Sequence, residues 1–465
     1  MRKRLSDTVF FATYMLVYMY SLGLIIEQQL TGMEGDDVRL GLYILQQVFI
    51  LAGFLLPSFI AGIWHFITDR KTKTVMFFCY AASVFSIIFV KDLTLHVIFL
   101  AVCALCLGMT GTEVYRRLAV GADFDDAGGR RDIGFTVGVG GMTALLVQWM
   151  LQSIPMADGL TAIILTVLYG YLIYVPGSQN TVNTPEDAES GSSDGIWRRR
   201  GIFLSISVVC MLMLLAYYES HMNRVSFAVR FYEWFRIFAG MGYLLIGLLY
   251  GRMKSAYVSI VMICTALASV VSSFLMLRDG EGTWIHLALF YLVLGSLVTY
   301  YNLMFMELSV RTSRPVRWAA MGRVLDAAVT ALFTAIGAYL PTGEIYVLLM
   351  YLLLFAGALI SMFLGGLLSV EDIPVSAAYV QSDTQSGKEG ENVLTVAERI
   401  ELFAEKYGLT SREKDVLSML VTTESKNQEI ADTLYISRRQ LQNHISSIYQ
   451  KTGANTRAGL LMMIS

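Results

Sequence analysis

Along the first 368 residues, apolar positions come in long runs rather than in alternating stripes. A helix needs about 20 mostly apolar residues to cross the hydrocarbon core of a bilayer. By that measure the sequence predicts about twelve spans, near 8–27, 40–64, 74–90, 95–115, 133–154, 159–175, 201–220, 231–250, 256–277, 284–308, 318–340 and 345–368. Each span has to satisfy its own backbone N–H and C=O groups in lipid, so the spans are read as α-helices. The loops are short except for Pro176 to Arg200, which is polar, rich in Ser, Gly, Asp and Glu, and ends in three arginines. It divides the spans six plus six.

After Ser369 the pattern changes. Glu371 to Asn392 is polar and rich in Ser, Gln and Gly, which reads as a flexible linker. The chain therefore divides into a membrane domain over 1–368, a linker over 369–392 and a C-terminal domain over 393–465. Thr395 and Glu398 form a capping box. Val393, Val396, Ile400, Phe403 and Tyr407 follow at alternating spacings of three and four, one apolar stripe on a helix. Two uses fit the stripe: packing on the domain that follows, or a short dimer seam.

From Leu409 onward the helical signals are dense. Thr410-x-x-Glu413 and Ser437-x-x-Gln440 are capping boxes that open two helices, with Ile436 placed to staple the second entry. Val416, Leu417, Leu420, Ile430, Leu434, Ile436, Leu441, Ile445 and Ile448 make a small core at helical spacing. A short helix from about Asn427, a tight connection at Tyr435-Ile436 and a longer helix from Ser437 to Lys451 compose a helix-turn-helix. With Leu441, Ile445 and Ile448 turned inward, Arg438, Arg439, Gln442, Asn443 and Ser446 face outward. Gln and Asn can bond adenine bidentately, and Arg can bond guanine or phosphate; Lys426, before the first of the pair, is a further cation for the backbone.

The residues that carry a family likeness are Leu409-Thr410-Ser411-Arg412-Glu413-Lys414-Asp415-Val416-Leu417, Asn427-Gln428-Glu429-Ile430-Ala431, Ile436-Ser437, His444-Ile445-Ser446-Ser447-Ile448-Tyr449-Gln450-Lys451 and Asn455-Thr456-Arg457-Ala458-Gly459-Leu460-Leu461. The stretch closely resembles the four-helix LuxR-type helix-turn-helix domain. Gln440-Leu441-Gln442 departs from it, since the family usually has Thr-Val-Lys there. The resemblance implies DNA as a partner and paired tails joined through the last helix, where Leu460, Leu461, Met463 and Ile464 offer apolar surface. The net charge from Leu409 onward is only +2, so phosphate attraction by one tail is modest.

Composition agrees with a membrane class: 55% of residues are hydrophobic and 15% charged, against about 25% charged in soluble domains. Orientation follows from Lys and Arg in short loops. With the N-terminus inside, 18 of them fall on inner segments, including Arg2–Arg4, Arg116, Arg117, Arg130, Arg131, Arg198–Arg200, Arg311, Arg314 and Arg317. Only Arg39, Lys91, Arg224, Arg230 and Arg278 fall outside. The reading is an inner (cytoplasmic) membrane protein, multi-pass, with both termini cytoplasmic, and the run after Arg2-Lys3-Arg4 is too long for a cleavable signal. The six-plus-six layout resembles the major facilitator superfamily, as does Gly62-Ile63-Trp64-His65-Phe66-Ile67-Thr68-Asp69-Arg70-Lys71 between spans two and three. Gly247 to Lys254, between spans eight and nine, is a weaker counterpart. The expected fold is therefore all-α: about twelve transmembrane helices plus a four-helix C-terminal domain.

Charges inside spans cost roughly 2.5–3.5 kcal/mol each on insertion scales and invite a functional reading. Glu233 and Arg236 lie three apart on span eight, and Arg323 and Asp326 on span eleven. Either pair is a ligand site, or else a structural ion pair or an arginine that snorkels from near the span end. Tyr217, Tyr218, Tyr300, Tyr301 and Asn302 would add polar tips to a cavity or sit at the interface, and Glu113, Glu219 and Glu307 near span ends support nothing specific. Cys103 and Cys106 read as helix packing. The five histidines are scattered, so no metal, cofactor or catalytic set is expected and the chain is not read as an enzyme. Three functions remain open: a sensor-regulator that binds a small molecule or membrane partner, a secondary transporter with a regulatory tail, and a DNA-binding domain on a plain anchor.

Overall fold

The computed structural model of the protein describes residues 2–30, 36–59, 69–90, 92–153, 158–174, 193–226, 232–279, 283–312, 315–336, 344–368, 396–422, 430, 434 and 436–452. At several helix ends, 23–30, 36–40, 218–226 and 232–236 among them, that description covers backbone alone. The linker, Gly62 to Thr68 of the loop after span two, and the last predicted helix from Gly453 lie outside the described residues. The chain forms two compact units, Met1–Tyr379 and Val380–Ser465. Among the described residues every regular element is helical.

The first unit contains α1 (Arg2–Leu30), α2 (Asp36–Phe59), α3 (Arg70–Phe89), α4 (Leu93–Gly121), α5 (Ala127–Ser153) and α6 (Asp158–Tyr174). A second set follows: α7 (Ser193–Ser226), α8 (Tyr232–Tyr250), α9 (Ser255–Asp279), α10 (Thr283–Ser309), α11 (Pro315–Ala319), α12 (Met321–Ile336) and α13 (Glu344–Leu364). All but the short α11 coincide with the twelve predicted spans. Eight are long and apolar enough on their described residues to cross a bilayer, and Gly159–Tyr174 and Ile237–Tyr250 are shorter apolar helices. Val75, Phe78, Leu349, Leu353, Ile360 and Phe363 are exposed, a surface that suits lipid rather than water. This is a multi-pass membrane domain.

Two boundaries differ from the expectation for a physical reason. Helix α7 starts at Ser193, so Trp197 to Arg200 are helical rather than loop. Continuing the helix past the hydrocarbon keeps those backbone groups bonded, and arginine is a good helix former. Ahead of span eleven a short separate helix, α11, begins at Pro315, where a missing N–H is harmless.

The helices pack as an internal repeat. In the first half α2 packs on α4, α1 on α5 and α6, and α3 on α4 and α6. In the second half α8 packs on α10, α7 on α12 and α13, and α9 on α10 and α13. Adding six to each span number converts one set into the other. The halves meet through α5 on α8 and α2 on α12, a pair of contacts that the same operation exchanges. The α5–α8 seam is very close because glycine lines it. A Cβ added to Gly247 would lie 2.4 Å from the Gly134 carbonyl oxygen and 2.7 Å from the Gly138 Cα.

The second unit contains α14 (Val396–Lys406), α15 (Ser411–Thr422) and α16 (Arg438–Thr452). Val416, Leu417, Leu420, Ile430, Leu441 and Ile448 form its core, with Leu434, Ile436 and Ile445 packed against it. Ile400 and Phe403 belong to the same core, and Tyr407 packs on it. The described part of the apolar stripe is thus used inside the domain, as the packing reading has it.

Because the atoms facing Gly247 are backbone and cannot swing aside, a side chain there forces the halves apart. Overpacking of this kind costs about 1–3 kcal/mol. Gly247→Val is expected to lower the melting temperature of the detergent-solubilised protein, with Gly247→Ala intermediate. Unchanged melting of Gly247→Val would contradict the close α5–α8 seam.

Candidate functional site

Both capping boxes of the C-terminal domain form. The Thr410 hydroxyl accepts from the Glu413 N–H at 3.3 Å, and a Glu413 carboxylate oxygen accepts from the Thr410 N–H at 2.7 Å. At the second box the Ser437 hydroxyl accepts from the Gln440 N–H at 3.2 Å while the Gln440 side-chain oxygen accepts from the Ser437 N–H at 2.9 Å. This second box fixes where α16 begins. Leu441 and Ile448 then point into the core, and Arg439, Gln442, Asn443 and Ser446 are exposed together on the opposite face. The side chains of Arg438 and Lys426 lie outside the described residues.

Glu413 does more than cap. It is buried, and its carboxylate also accepts from the Ser447 hydroxyl at 2.6 Å and from Lys451 Nζ at 2.7 Å. One residue at the start of α15 therefore fixes the C-terminal half of α16. Lys451 donates in addition to the Gly408 carbonyl at 3.2 Å, so its charge is committed to the domain. Burial pushes the Glu413 carboxyl up, but Lys451, Ser447 and Thr410 outweigh it and hold it down to about 2. Lys414 pairs with Glu401 of α14. Two of the cations in the +2 balance are thus internal.

In the membrane domain the Arg323–Asp326 pair forms, with Nη1 to Oδ2 at 3.1 Å. Arg323 does not snorkel: it is 5% exposed and follows Pro315 by eight residues, roughly 12 Å along a helix. Its Nε donates to the Tyr115 hydroxyl at 3.0 Å, and Nη2 faces the Met15 sulfur at 3.5 Å. The guanidinium lies 5.4 Å from the Tyr18 ring centre and 6.0 Å from that of Tyr301. Tyr301 also donates to Asp326 at 2.9 Å. Met15, Tyr18 and Tyr115 come from α1 and α4 of the first half, so the cation of α12 joins the two halves. Asn302, next to Tyr301, is buried. The side chains of Glu233 and Arg236, like those of Tyr218 and Glu219, lie outside the described residues.

Several of these roles were not visible in the sequence. Glu307, set aside there as a span-end charge, accepts from the Tyr250 hydroxyl at 2.7 Å and the Ser255 hydroxyl at 2.8 Å. Glu113 pairs with Lys73. Asp69 of the facilitator-like loop caps α3 by accepting from the Lys71 N–H at 3.1 Å. Cys103 and Cys106 are free thiols buried in α4.

The Glu413 lock sets a pH dependence. Because its folded pKa lies below the ordinary value of about 4.3, its contribution is present above that value and is lost as pH falls toward 2. Hydrogen bonds to a charged group contribute about 1.5–3 kcal/mol each. The fragment 380–465 is expected to lose stability between pH 5 and pH 2.5, and Glu413→Gln to be less stable at pH 6 with a flatter acid limb. Equal melting of parent and Glu413→Gln at pH 6 would contradict the lock.

Comparison with known proteins agrees with both units. Residues 408–464 match the family described as bacterial regulatory proteins, luxR family. The spore germination protein GerE of Bacillus subtilis (strain 168) is 41% identical over 56 residues, 12% of this chain and 74% of that protein. The remainder is similar in fold to two solved transporters. The human organic anion transporter MFSD10 (TETRAN) aligns over 78% of this chain and 99% of its own, at 12% identity and a TM-score of 0.54. A bacterial homologue of the iron transporter ferroportin, solved in an outward-facing state, aligns over 77% and 98%, at 14% identity and a TM-score of 0.53. At such identities the likeness is one of fold, that of the major facilitators. Through its C-terminal domain, a LuxR-type DNA-binding domain fused to this membrane domain, the chain belongs to the luxR family of bacterial regulatory proteins.

Proposed function

We propose that this protein is a one-component transcription regulator of the inner membrane, in which the tail reads promoter DNA and the membrane domain governs it in response to a small molecule or membrane partner. The observation that carries the reading is the exposed row Arg439, Gln442, Asn443 and Ser446 on α16, in a luxR-family domain joined to a multi-pass membrane domain. Amide side chains on such a face suit adenine edges, and Arg439 suits guanine or phosphate. The inner-segment excess of Lys and Arg supports cytoplasmic termini, which is where promoter DNA lies in a bacterium. The protein acts by binding, without catalysis or a cofactor.

Arg323 and Asp326 are the favoured place for a small ligand. A buried charged pair at an inter-half contact gives a ligand two states to discriminate, and Asp326 keeps 22% of its side chain accessible. The Glu233–Arg236 pair of α8 is the second candidate. With Lys451 and Lys414 committed internally, one tail offers little phosphate attraction, which supports paired tails. The last predicted helix, with Leu460, Leu461, Met463 and Ile464, is the proposed contact.

The test is chromatin immunoprecipitation of the full-length protein in growing cells, followed by gel-shift titration of the soluble tail on the recovered sites. Discrete promoter sites are expected, and a tail outside the membrane would recover none. Gln442→Ala or Asn443→Ala should reduce discrimination between sites by roughly 1–3 kcal/mol. Leu461→Glu should abolish binding to a two-fold site while the fragment stays folded. Equal affinity for whole and half sites, unaffected by Leu461→Glu, would contradict pairing; absence of promoter sites would contradict the regulator.

A further inference from the structure

The two halves of the membrane domain are tied at one end. The Ser58 hydroxyl of α2 donates to the Val316 carbonyl at 3.5 Å, Arg311 reaches Asp125 at 2.9 Å, and Arg130 donates to the Ser255 hydroxyl at 3.0 Å. In the topology proposed from the loop charges this is the cytoplasmic end. Arg323 stands outward of it on α12, and from there accessibility rises along one face of the helix. A helix turns about 100° per residue, so Arg323, Asp326 and Thr330 share that face. Arg323 is enclosed, with 6% of its side chain accessible, while Asp326 keeps 22%. Thr330, one turn further out, is partly exposed. Leu332, about 200° round the helix from Thr330, is exposed on the opposite side, the one that suits lipid. The access to Asp326 and Thr330 is therefore on the side turned toward the other half.

The chemistry at this opening is one-sided. Arg323 gives Nη1 to Asp326 and Nε to Tyr115, and turns Nη2 to the Met15 sulfur. Asp326 takes the bonds from Arg323 and from Tyr301 on the same oxygen, Oδ2. Its Oδ1 takes neither and keeps its acceptor capacity. The rings of Tyr18 and Tyr301 lie within 6.0 Å of the guanidinium, and such rings attract organic cations. Tyr14 is buried, 5.8 Å from Tyr18 between ring centres. Its hydroxyl, set against Gly111 one turn outward of Tyr115, has no hydrogen-bond partner among the described residues. Buried hydroxyls are rarely left so.

We infer that the ligand of this site is an organic cation, a protonated amine on a small apolar body, which arrives from the side opposite the cytoplasm and pairs with Asp326. An anion entering the same way meets the carboxylate first, because the guanidinium is enclosed. A cation meets an acceptor with capacity left, beside tyrosine rings and an unpartnered hydroxyl. The inference rests on the reading of Arg323 and Asp326 as the ligand place and on the proposed topology.

Thiol labelling of full-length Thr330→Cys in right-side-out membrane vesicles, read at residue 330 by mass spectrometry, tests it. Two membrane-impermeant methanethiosulfonates are applied, one bearing a trimethylammonium group and one a sulfonate. Adding Asp326→Asn should lower the rate ratio, cation over anion, about tenfold, the effect in water of one unit charge ~6 Å away acting with opposite sign on the two reagents. Asp326→Glu should keep the parent ratio. Benzylamine should slow the labelling of Thr330→Cys saturably, while benzoate and benzyl alcohol, of nearly the same shape, should not. This arm leaves Asp326 in place and so stands if Asp326→Asn does not fold. Labelling confined to inverted vesicles would overturn the outward opening. A ratio unmoved by Asp326→Asn in folded protein, protection by benzoate, or no protection by benzylamine would overturn the organic cation. No DNA enters the assay: if benzylamine protects residue 330 yet leaves promoter affinity unchanged, the cation site stands and the regulator reading fails.

Discussion

The membrane domain depends on how one buried cation is accommodated. An ion taken out of water carries a penalty of several kcal/mol even after relaxation, and Arg323 is almost wholly enclosed. Asp326, one helical turn away, neutralises it but satisfies only part of the guanidinium. Tyr115 and Met15, both of the other half of the domain, supply further contacts. The charge is therefore accommodated partly across the boundary between the halves.

Close packing elsewhere makes that geometry definite. Glycines at 134, 138 and 247 bring α5 and α8 to backbone contact, leaving little freedom for intermediate separations. In the C-terminal unit one residue does similar work: besides the shared core, Glu413 fastens the entry of α15 to α16, so the outward row of Arg439, Gln442, Asn443 and Ser446 stands on a helix held at both ends.

What the sequence disclosed and what it withheld divide along contact range. The spans follow from runs of about 20 apolar residues, and the capping boxes at Thr410 and Ser437 join residues three apart, so local pattern was enough to find them. The outward face of α16 follows from the inward positions of Leu441 and Ile448. By contrast Arg323 meets Met15 across 308 positions and Tyr115 across 208, and no local rule connects them. Glu307 was passed over because a carboxylate near a span end is ordinary until Tyr250 and Ser255 are folded against it. Lys451 entered the +2 balance as an ordinary cation because its partner Glu413 lies 38 residues earlier. The start of α7 was placed late because hydropathy marks where lipid begins, while the backbone keeps its hydrogen bonds beyond that boundary.

The central claim is that the state of the membrane domain, set around Arg323, controls DNA binding by a tail that does not contain it. The most direct measurement is the affinity of the full-length protein in nanodiscs for a recovered promoter site, comparing the parent chain with Arg323→Met and with the isolated fragment 380–465. Removing one partner of a buried pair leaves the other uncompensated at a cost of about 3–5 kcal/mol, enough to shift the equilibrium between joined and parted halves. The account predicts that Arg323→Met changes the affinity of the full-length protein by tenfold or more, while the membrane helices remain folded and the fragment is unaffected by construction. Identical affinity of parent and Arg323→Met in folded protein would contradict it.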